Sequence, residues 1–328
     1  MAKRKKWIIS ILSVIGAGII AFFSFFGLRV IKNRPRFSVK DTLADGQGKK
    51  ATVILLGGQS NASGCSSVEY LEKNVSPERY AQFENGFDNV YINYYVSDEN
   101  ISNEFVKCSV NQGEFGTCFG PELGMAEKLS EMYPDQTFFI IKCAWGGTEL
   151  FGKWLSPSSY TAKHKANKFF YFNKTKTGKL YEHFVSFVKT SLKYLKSKNY
   201  DISVEGMCWM QGESDSFETT HATNYETHLT NFIKDIRKQF KRFSADDGLA
   251  FIDAYIAHLP AYWVYGDLVN ASKKAVAESS PLNALVDTIA HGLTTDYEPT
   301  DAPDRAHYDS LSEIKLGHLF IETLAQYL

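Results

Sequence analysis

Cysteine is scarce in this chain, with five in 328 residues. That is too few for the disulfide framework that holds small secreted domains together. A surplus of one charge is also missing. Lys and Arg total 36 against 37 Asp and Glu, and a general nucleic-acid binder needs a basic excess that is not there. No internal repeat is found. Neither the His-x-Glu-x-x-His nor the Cys-x-x-Cys spacing of a zinc site occurs. The Gly-Gly pairs carry no Gly-x-Gly-x-x-Gly or Walker pattern, so neither a metal nor a nucleotide cofactor is expected. Disorder and collagen-like order are excluded by a hydrophobic content of 44% with 22% charged residues.

What the chain does have begins at its N-terminus. Lys3, Arg4, Lys5 and Lys6 precede an uncharged run over residues 7–28. As a helix that run would extend about 33 Å, enough to cross a bilayer core. Bulky Phe22, Phe23, Phe25 and Phe26 fill its end, where a cleaved signal peptide would place small residues. The expectation is a signal anchor over residues 1–30 that contacts the lipid bilayer through residues 7–28. A tether would follow over 31–50, and then one folded domain over 51–328 on the extracytoplasmic side. Secretion after signal cleavage is the alternative. Arg29, Lys32, Arg34 and Arg36 nearly balance the first basic cluster, so charge does not settle the orientation.

Short apolar, β-branched runs recur at 52–56, 91–96, 137–143, 203–210 and 249–257 and read as buried strands. Helical periodicity appears over 124–132, 180–196, 225–240 and 311–327, with Ser310 and Glu313 spaced as a capping box before the last. Strands alternating with helices predict a parallel sheet covered on both faces. The polar and aromatic stretches 63–89 and 150–179 read as loops at one end of that sheet. The 18 Tyr and 24 Phe suit a large core, and equally suit surfaces that stack on sugars.

Three motifs carry chemistry. Gly57-Gly58-Gln59-Ser60-Asn61-Ala62 directly follows the first strand, where open α/β sheets place their ligands. Ser60 there is a nucleophile only if a base activates it. Asp304-Arg305-Ala306-His307 has a spacing at which one turn brings the carboxylate against the imidazole, to fix its tautomer and stabilise the imidazolium. Trp209-Met210-Gln211-Gly212-Glu213-Ser214-Asp215 ends a strand with an amide able to donate to a developing oxyanion. Two further loops, Phe119-Gly120-Pro121-Glu122 and Ala144-Trp145-Gly146-Gly147-Thr148, supply backbone N–H groups and tight turns. Taken singly, each motif is also what an ordinary polar turn looks like.

As a set, Gly-Gln-Ser-Asn, Trp-x-Gln-Gly-Glu-Ser and Asp-x-x-His in this order resemble the SGNH hydrolase superfamily. More narrowly they resemble its branch of carbohydrate esterase family six and sialic-acid-specific acetylesterases. The resemblance runs from Val53 to the C-terminus and implies a flavodoxin-like three-layer α/β/α sandwich with a central parallel sheet. It implies a serine esterase that removes acetyl groups from an acetylated carbohydrate, with Ser60 as nucleophile, His307 as base and Asp304 orienting it. It also implies an oxyanion hole made by Ser60, Gly120 and Gln211. Superfamily members usually carry Asn where this chain has Gln211. Gln59, Asn61, Gly146, Gly147, Thr148 and Glu213 are expected to bind substrate or support the site. An acyltransferase using the same residues and a non-catalytic glycan-binding protein are the alternatives. The resemblance implies no cofactor and no metal, and no protein partner is expected.

Of the other histidines, His258 and His318 read as structural, and His291 is the rival to His307. Cys108 and Cys118 are the pair able to form a disulfide in an exported domain, Cys143 and Cys208 read as buried hydrophobes, and Cys65 has no evident partner.

Overall fold

The computed structural model describes residues 37–160, 177–298 and 302–328. The expected membrane span at 7–28 lies outside them. Among the described residues no helix is long and apolar enough to cross a membrane.

Among the described residues nine strands form: β1 (Lys50–Gly58), β2 (Ser66–Ser67), β3 (Val90–Tyr95), β4 (Val106–Lys107), β5 (Cys118–Phe119), β6 (Thr137–Ala144), β7 (Asp201–Met210), β8 (Ala250–Ala254) and β9 (Asn283–Val286). Seven of them make the central sheet in the order β4-β3-β6-β1-β7-β8-β9. Its neighbours run parallel except at the edge, where β4 is antiparallel to β3. β1 and β6 are apolar along almost their whole length and buried throughout the interior. Such a strand has no solvent face and belongs at the centre of a sheet covered on both sides.

The helices are α1 (Ser60–Ser63), α2 (Val68–Asn74), α3 (Pro77–Asn85), α4 (Pro121–Met132), α5 (Lys179–Ser197), α6 (Thr219–Phe240), α7 (Gly266–Glu278) and α8 (Ser310–Leu324). α4 packs against α8, and α6 packs against α7. The first of these pairs is close because both helices present a glycine. A Cβ on Gly124 would lie 2.1 Å from the Ile314 carbonyl oxygen, and one on Gly317 would lie 2.2 Å from that of Pro121.

Several expectations need correction. The three layers are present, but the long strands counted along the chain run 2-3-1-4-5-6, not the 2-1-3-4-5 of flavodoxin. Stretch 63–89 is not a loop: it holds β2, α2 and α3. Ser67 and Ser76 cap α2 and α3 by accepting the N–H groups of Tyr70 and Arg79, and Pro77 occupies the first turn of α3. No capping box forms at α8. There Ser310 donates its backbone N–H and its hydroxyl to the Glu298 carboxylate, while the Glu313 carboxyl oxygens are buried without a hydrogen-bond partner. All five cysteines are free. The expected Cys108–Cys118 bond is absent, and the buried Cys108 thiol points at the Glu122 carbonyl, 3.4 Å away.

Candidate active site

The register of the central strands brings distant motifs level. Gly58, the last residue of β1, pairs with Ala144 on one side and with Met210 on the other. The segments that follow β1, β6 and β7 therefore leave the sheet side by side. The ladder continues into them: Trp145 donates its N–H to the Gly58 carbonyl (3.1 Å), and Gln59 donates to the Met210 carbonyl (2.9 Å). Gly58 is required here. Its φ is +140°, and a Cβ would fall 1.9 Å from the Met210 oxygen. Ser60 opens α1 immediately beyond this crossing and is buried, with 3% of its surface exposed.

His307 comes from the turn before α8. Its Nδ1 lies 2.6 Å from Asp304 Oδ2, while Asp304 Oδ1 accepts the Ala306 N–H and the Asp304 carbonyl accepts the His307 N–H. Both carboxylate oxygens thus fix one geometry for the ring. Asn61 ties this turn to the helix that bears Ser60. Its Oδ1 accepts the Tyr308 N–H (3.0 Å), and its Nδ2 donates to Glu213 Oε1 (2.7 Å) and to the Ala306 carbonyl (3.3 Å). The sequence expectation that Ser60, Asp304 and His307 share one site is consistent with this arrangement. His291 lies in an exposed turn elsewhere. His258 pairs with Asp267 and His318 with Glu127.

The supporting residues divide by what they hold. Gln211 Nε2 donates to Asp215 Oδ2 (2.6 Å), the Thr148 carbonyl (3.0 Å) and Gln59 Oε1 (3.3 Å), and its Oε1 accepts the Tyr225 hydroxyl. In this structure Gln211 braces the loops after β1 and β6. Gly120 donates its N–H to Glu122 Oε1 (2.9 Å), and Glu122 is paired with Lys142 at 2.7 Å, both fully buried. Thr148 donates its hydroxyl to the Trp145 carbonyl and accepts the Trp154 indole N–H, closing the Gly146-Gly147 turn. Gly147 takes a φ of +62°.

Two carboxylates went unassigned in the sequence. Asp215 accepts the N–H groups of Leu150 and Phe151, and burial pushes its pKa up to about 7 despite those bonds. Glu114 accepts the Ser63 hydroxyl (2.7 Å) and packs against Gly146. Asp215 stood inside the third motif and could have been read as a loop anchor. Glu114 sits in an aperiodic loop and gives no sequence signal.

The electrostatics suit a base. Burial alone would lower the His307 pKa. The hydrogen bond and charge of Asp304, joined by the charges of Glu114 and Glu213, outweigh burial and hold it above the ordinary histidine value. Burial acts to raise Asp304, but its bond to His307 wins and leaves it below the usual carboxylate range. Burial raises Glu213. Among the described residues no group of His, Cys, Asp and Glu could hold a metal ion.

Comparison with known proteins shows the family and the fold. A family model described as "Carbohydrate esterase, sialic acid-specific acetylesterase" matches residues 50–326. A probable 9-O-acetyl-N-acetylneuraminic acid deacetylase of Escherichia coli (strain K12) is 29% identical over 134 residues, which is 40% of this chain and 38% of that protein. Among solved structures, NanS superposes with a TM-score of 0.59 at 16% identity, covering 87% of this chain and 99% of its own. A protein from Arabidopsis thaliana gives 0.58 at 18% identity, covering 84% and 99%. A carbohydrate acetylesterase from Xanthomonas citri gives 0.56 at 17% identity, covering 84% and 56%. At these identities the structures speak for the fold alone. The family match spans most of the chain, and the chain belongs to the family of carbohydrate esterases described as sialic acid-specific acetylesterases.

Proposed function

We propose that the chain is a serine esterase that removes O-acetyl groups from a carbohydrate through an acyl-enzyme on Ser60. The observation that carries this reading is the 2.6 Å contact between His307 Nδ1 and Asp304, in a turn that Asn61 ties to the helix bearing Ser60. With Nδ1 held by Asp304, the other ring nitrogen, Nε2, is the one that takes the Ser60 proton. Ser60 Oγ attacks the acetyl carbonyl and His307 becomes imidazolium. The tetrahedral oxyanion is received by the N–H groups of Ser60 and Gly120. Gly120 shares its N–H between the oxyanion and Glu122. Gln211 supports the hole by holding the Gln59 and Thr148 loops in place. His307 then protonates the sugar oxygen as it leaves, and later takes a proton from the water that releases acetate. Burial of Ser60 suits a small acyl group.

The test is acetate release from a panel of O-acetylated glycans, sialates and xylo-oligosaccharides among them, by the full chain and by Ser60→Ala. Release by the wild type and its loss in Ser60→Ala supports the reading; equal release by both overturns it. The uncharged run at 7–28 further supports a membrane-anchored enzyme with its catalytic domain outside the cytoplasm. An alkaline carbonate wash that leaves the protein with membranes, with external protease removing the domain, is the expected result. A released form beginning near residue 30 would establish a cleaved signal instead.

A further inference from the structure

The residues just before β1 are bound to the domain along their length. Lys40 donates its N–H to the Asn103 carbonyl (2.7 Å), and its ammonium pairs with Glu104 (3.2 Å). The Tyr194 hydroxyl on α5 accepts the N–H groups of Thr42 and Leu43, both at 3.1 Å, and donates to Asp41 Oδ1. Gly46 and Gly48 donate to the carbonyls of Lys198 and Asn199, beyond the end of α5. Val39 and Leu43 are half-buried against the core. Residues 37–49 thus form a strap that follows α5 from its first turns to its end.

The strap begins at the end of the sheet where Ser60 lies. Phe37 packs edge-on against Tyr95, the last residue of β3, with ring centroids 5.2 Å apart, and against Phe187 of α5 at 5.1 Å. Tyr95 in turn meets Trp145 edge to face at 5.4 Å. Trp145 donates its N–H to the carbonyl of Gly58, two residues before Ser60, and its own carbonyl accepts the Thr148 hydroxyl. Three aromatic rings therefore connect the strap to the turn that carries Ser60. Edge-to-face pairs have a preferred geometry, so each ring limits the tilt of the next.

The seat under Phe37 is apolar. The His183 ring lies 6.1 Å from that of Phe37 and 6.3 Å from that of Tyr95. It is buried, with neither of its nitrogens hydrogen-bonded. Burial, helped by the Lys179 charge, lowers its pKa to about 4 against the pull of Asp98. A neutral imidazole suits such a seat, and Phe37 is one of the rings that cover it. The Tyr95 hydroxyl is held at its far edge by Asp98 (2.8 Å), which leaves the ring's tilt to the packing of Phe37.

We infer that Phe37 is a positioning residue: through Tyr95 it fixes Trp145, and with Trp145 the turn that carries Ser60. The inference rests on the esterase reading, and one of its measurements is independent of turnover. In the full chain, Phe37→Ala lowers kcat for acetate release about tenfold while KM changes less than about twofold, because a displaced catalytic turn loses rate. Phe37→Tyr keeps the ring and restores most of that rate. Tyr194→Phe loosens the middle of the strap but leaves the three rings in place, so it lowers stability and leaves kcat unchanged. Hydrogen exchange gives the second readout. In the wild type the Trp145 amide opens with the slowest amides of the sheet, and in Phe37→Ala it opens faster than they do. Should Phe37→Ala fail to fold, Phe37→Leu keeps apolar bulk without the ring and moves both readouts the same way by less. An unchanged kcat in folded Phe37→Ala, an equal loss of kcat in Tyr194→Phe, or a Trp145 amide that stays with the slowest group overturns the positioning. A wild type that releases no acetate from any acetylated glycan overturns the esterase reading, and exchange at Trp145 still decides whether Phe37 holds that turn.

Discussion

Asn61 holds His307 without touching its ring. Its amide accepts the N–H of Tyr308 and donates to the carbonyl of Ala306, the two residues that flank the histidine, while Glu213 holds the same amide from below. The residue next to Ser60, the proposed nucleophile, thereby sets the place of His307, the proposed base. Misplacing a catalytic group by about 1 Å can cost on the order of 100-fold in rate. Asn61→Ala is expected to lower kcat by about 10- to 100-fold with KM changed far less. Glu213→Gln keeps a partner for Asn61 and should lose less. Steady-state kinetics on both variants check this, and an unchanged kcat in Asn61→Ala would dismiss the clamp.

Replacing the reacting groups has a larger effect. Ser60→Ala and His307→Ala are each expected to reduce deacetylation by on the order of 10⁴-fold or more, and the double variant by little beyond either, because the two act as a unit. Asp304→Asn disturbs the tautomer while leaving both reacting groups in place, so its loss is similar or smaller. His291→Ala, in its exposed turn, retains most activity. A dead His291→Ala beside an active His307→Ala would reassign the base.

The pH profile follows from the direction in which His307 is shifted. Its pKa is raised, so the imidazolium persists to higher pH than in an ordinary histidine, and a protonated ring cannot accept the serine proton. Activity is expected to fall as pH drops, with the midpoint of kcat/KM above the ordinary value of about 6.5. Glu114→Gln removes one of the charges that sustain the imidazolium and should move this limb to lower pH. A limb that stays in place would mean that Glu114 does not act on the base.

Stability is most exposed at Lys142. Its ammonium is paired with Glu122 and donates to the Gln112 carbonyl, with no solvent at either charge. Lys142→Met leaves the Glu122 carboxylate buried without a counter-charge, which typically costs about 3–5 kcal/mol. Chemical denaturation should show that loss. The double variant Lys142→Met/Glu122→Leu should recover much of it, although it also removes the acceptor of the Gly120 N–H.

Several elements could be read from the residues because one force dominates each of them. β1 and β6 are apolar over most of their length, the buried Lys142 apart, and α5 and α8 keep an apolar stripe, so burial decides them. The Asp304-x-x-His307 turn was legible because three residues are enough for the contact. α2 and α3 were missed although Ser67, Ser76 and Pro77 mark their starts, since short polar helices show little periodicity against which to test a cap. β9 was missed because only Val286 in it is fully buried. The hydrogen-bond partners of Gln211 were not legible for another reason. Its donors are spent on Asp215 and on a carbonyl more than 60 residues away in sequence, and no local pattern announces such a partner.

The rungs at Gln59 and Trp145 carry one more consequence. Both amides donate to carbonyls at the ends of neighbouring central strands, so neither proton can meet solvent until the middle of the sheet parts. In hydrogen exchange these two amides should open with the slowest group in the molecule, those freed only by global unfolding. A catalytic turn fastened in this way has no separate melting step. Heat inactivation of this enzyme should then coincide with loss of the whole fold, leaving no temperature range in which the chain is intact and the site already slack.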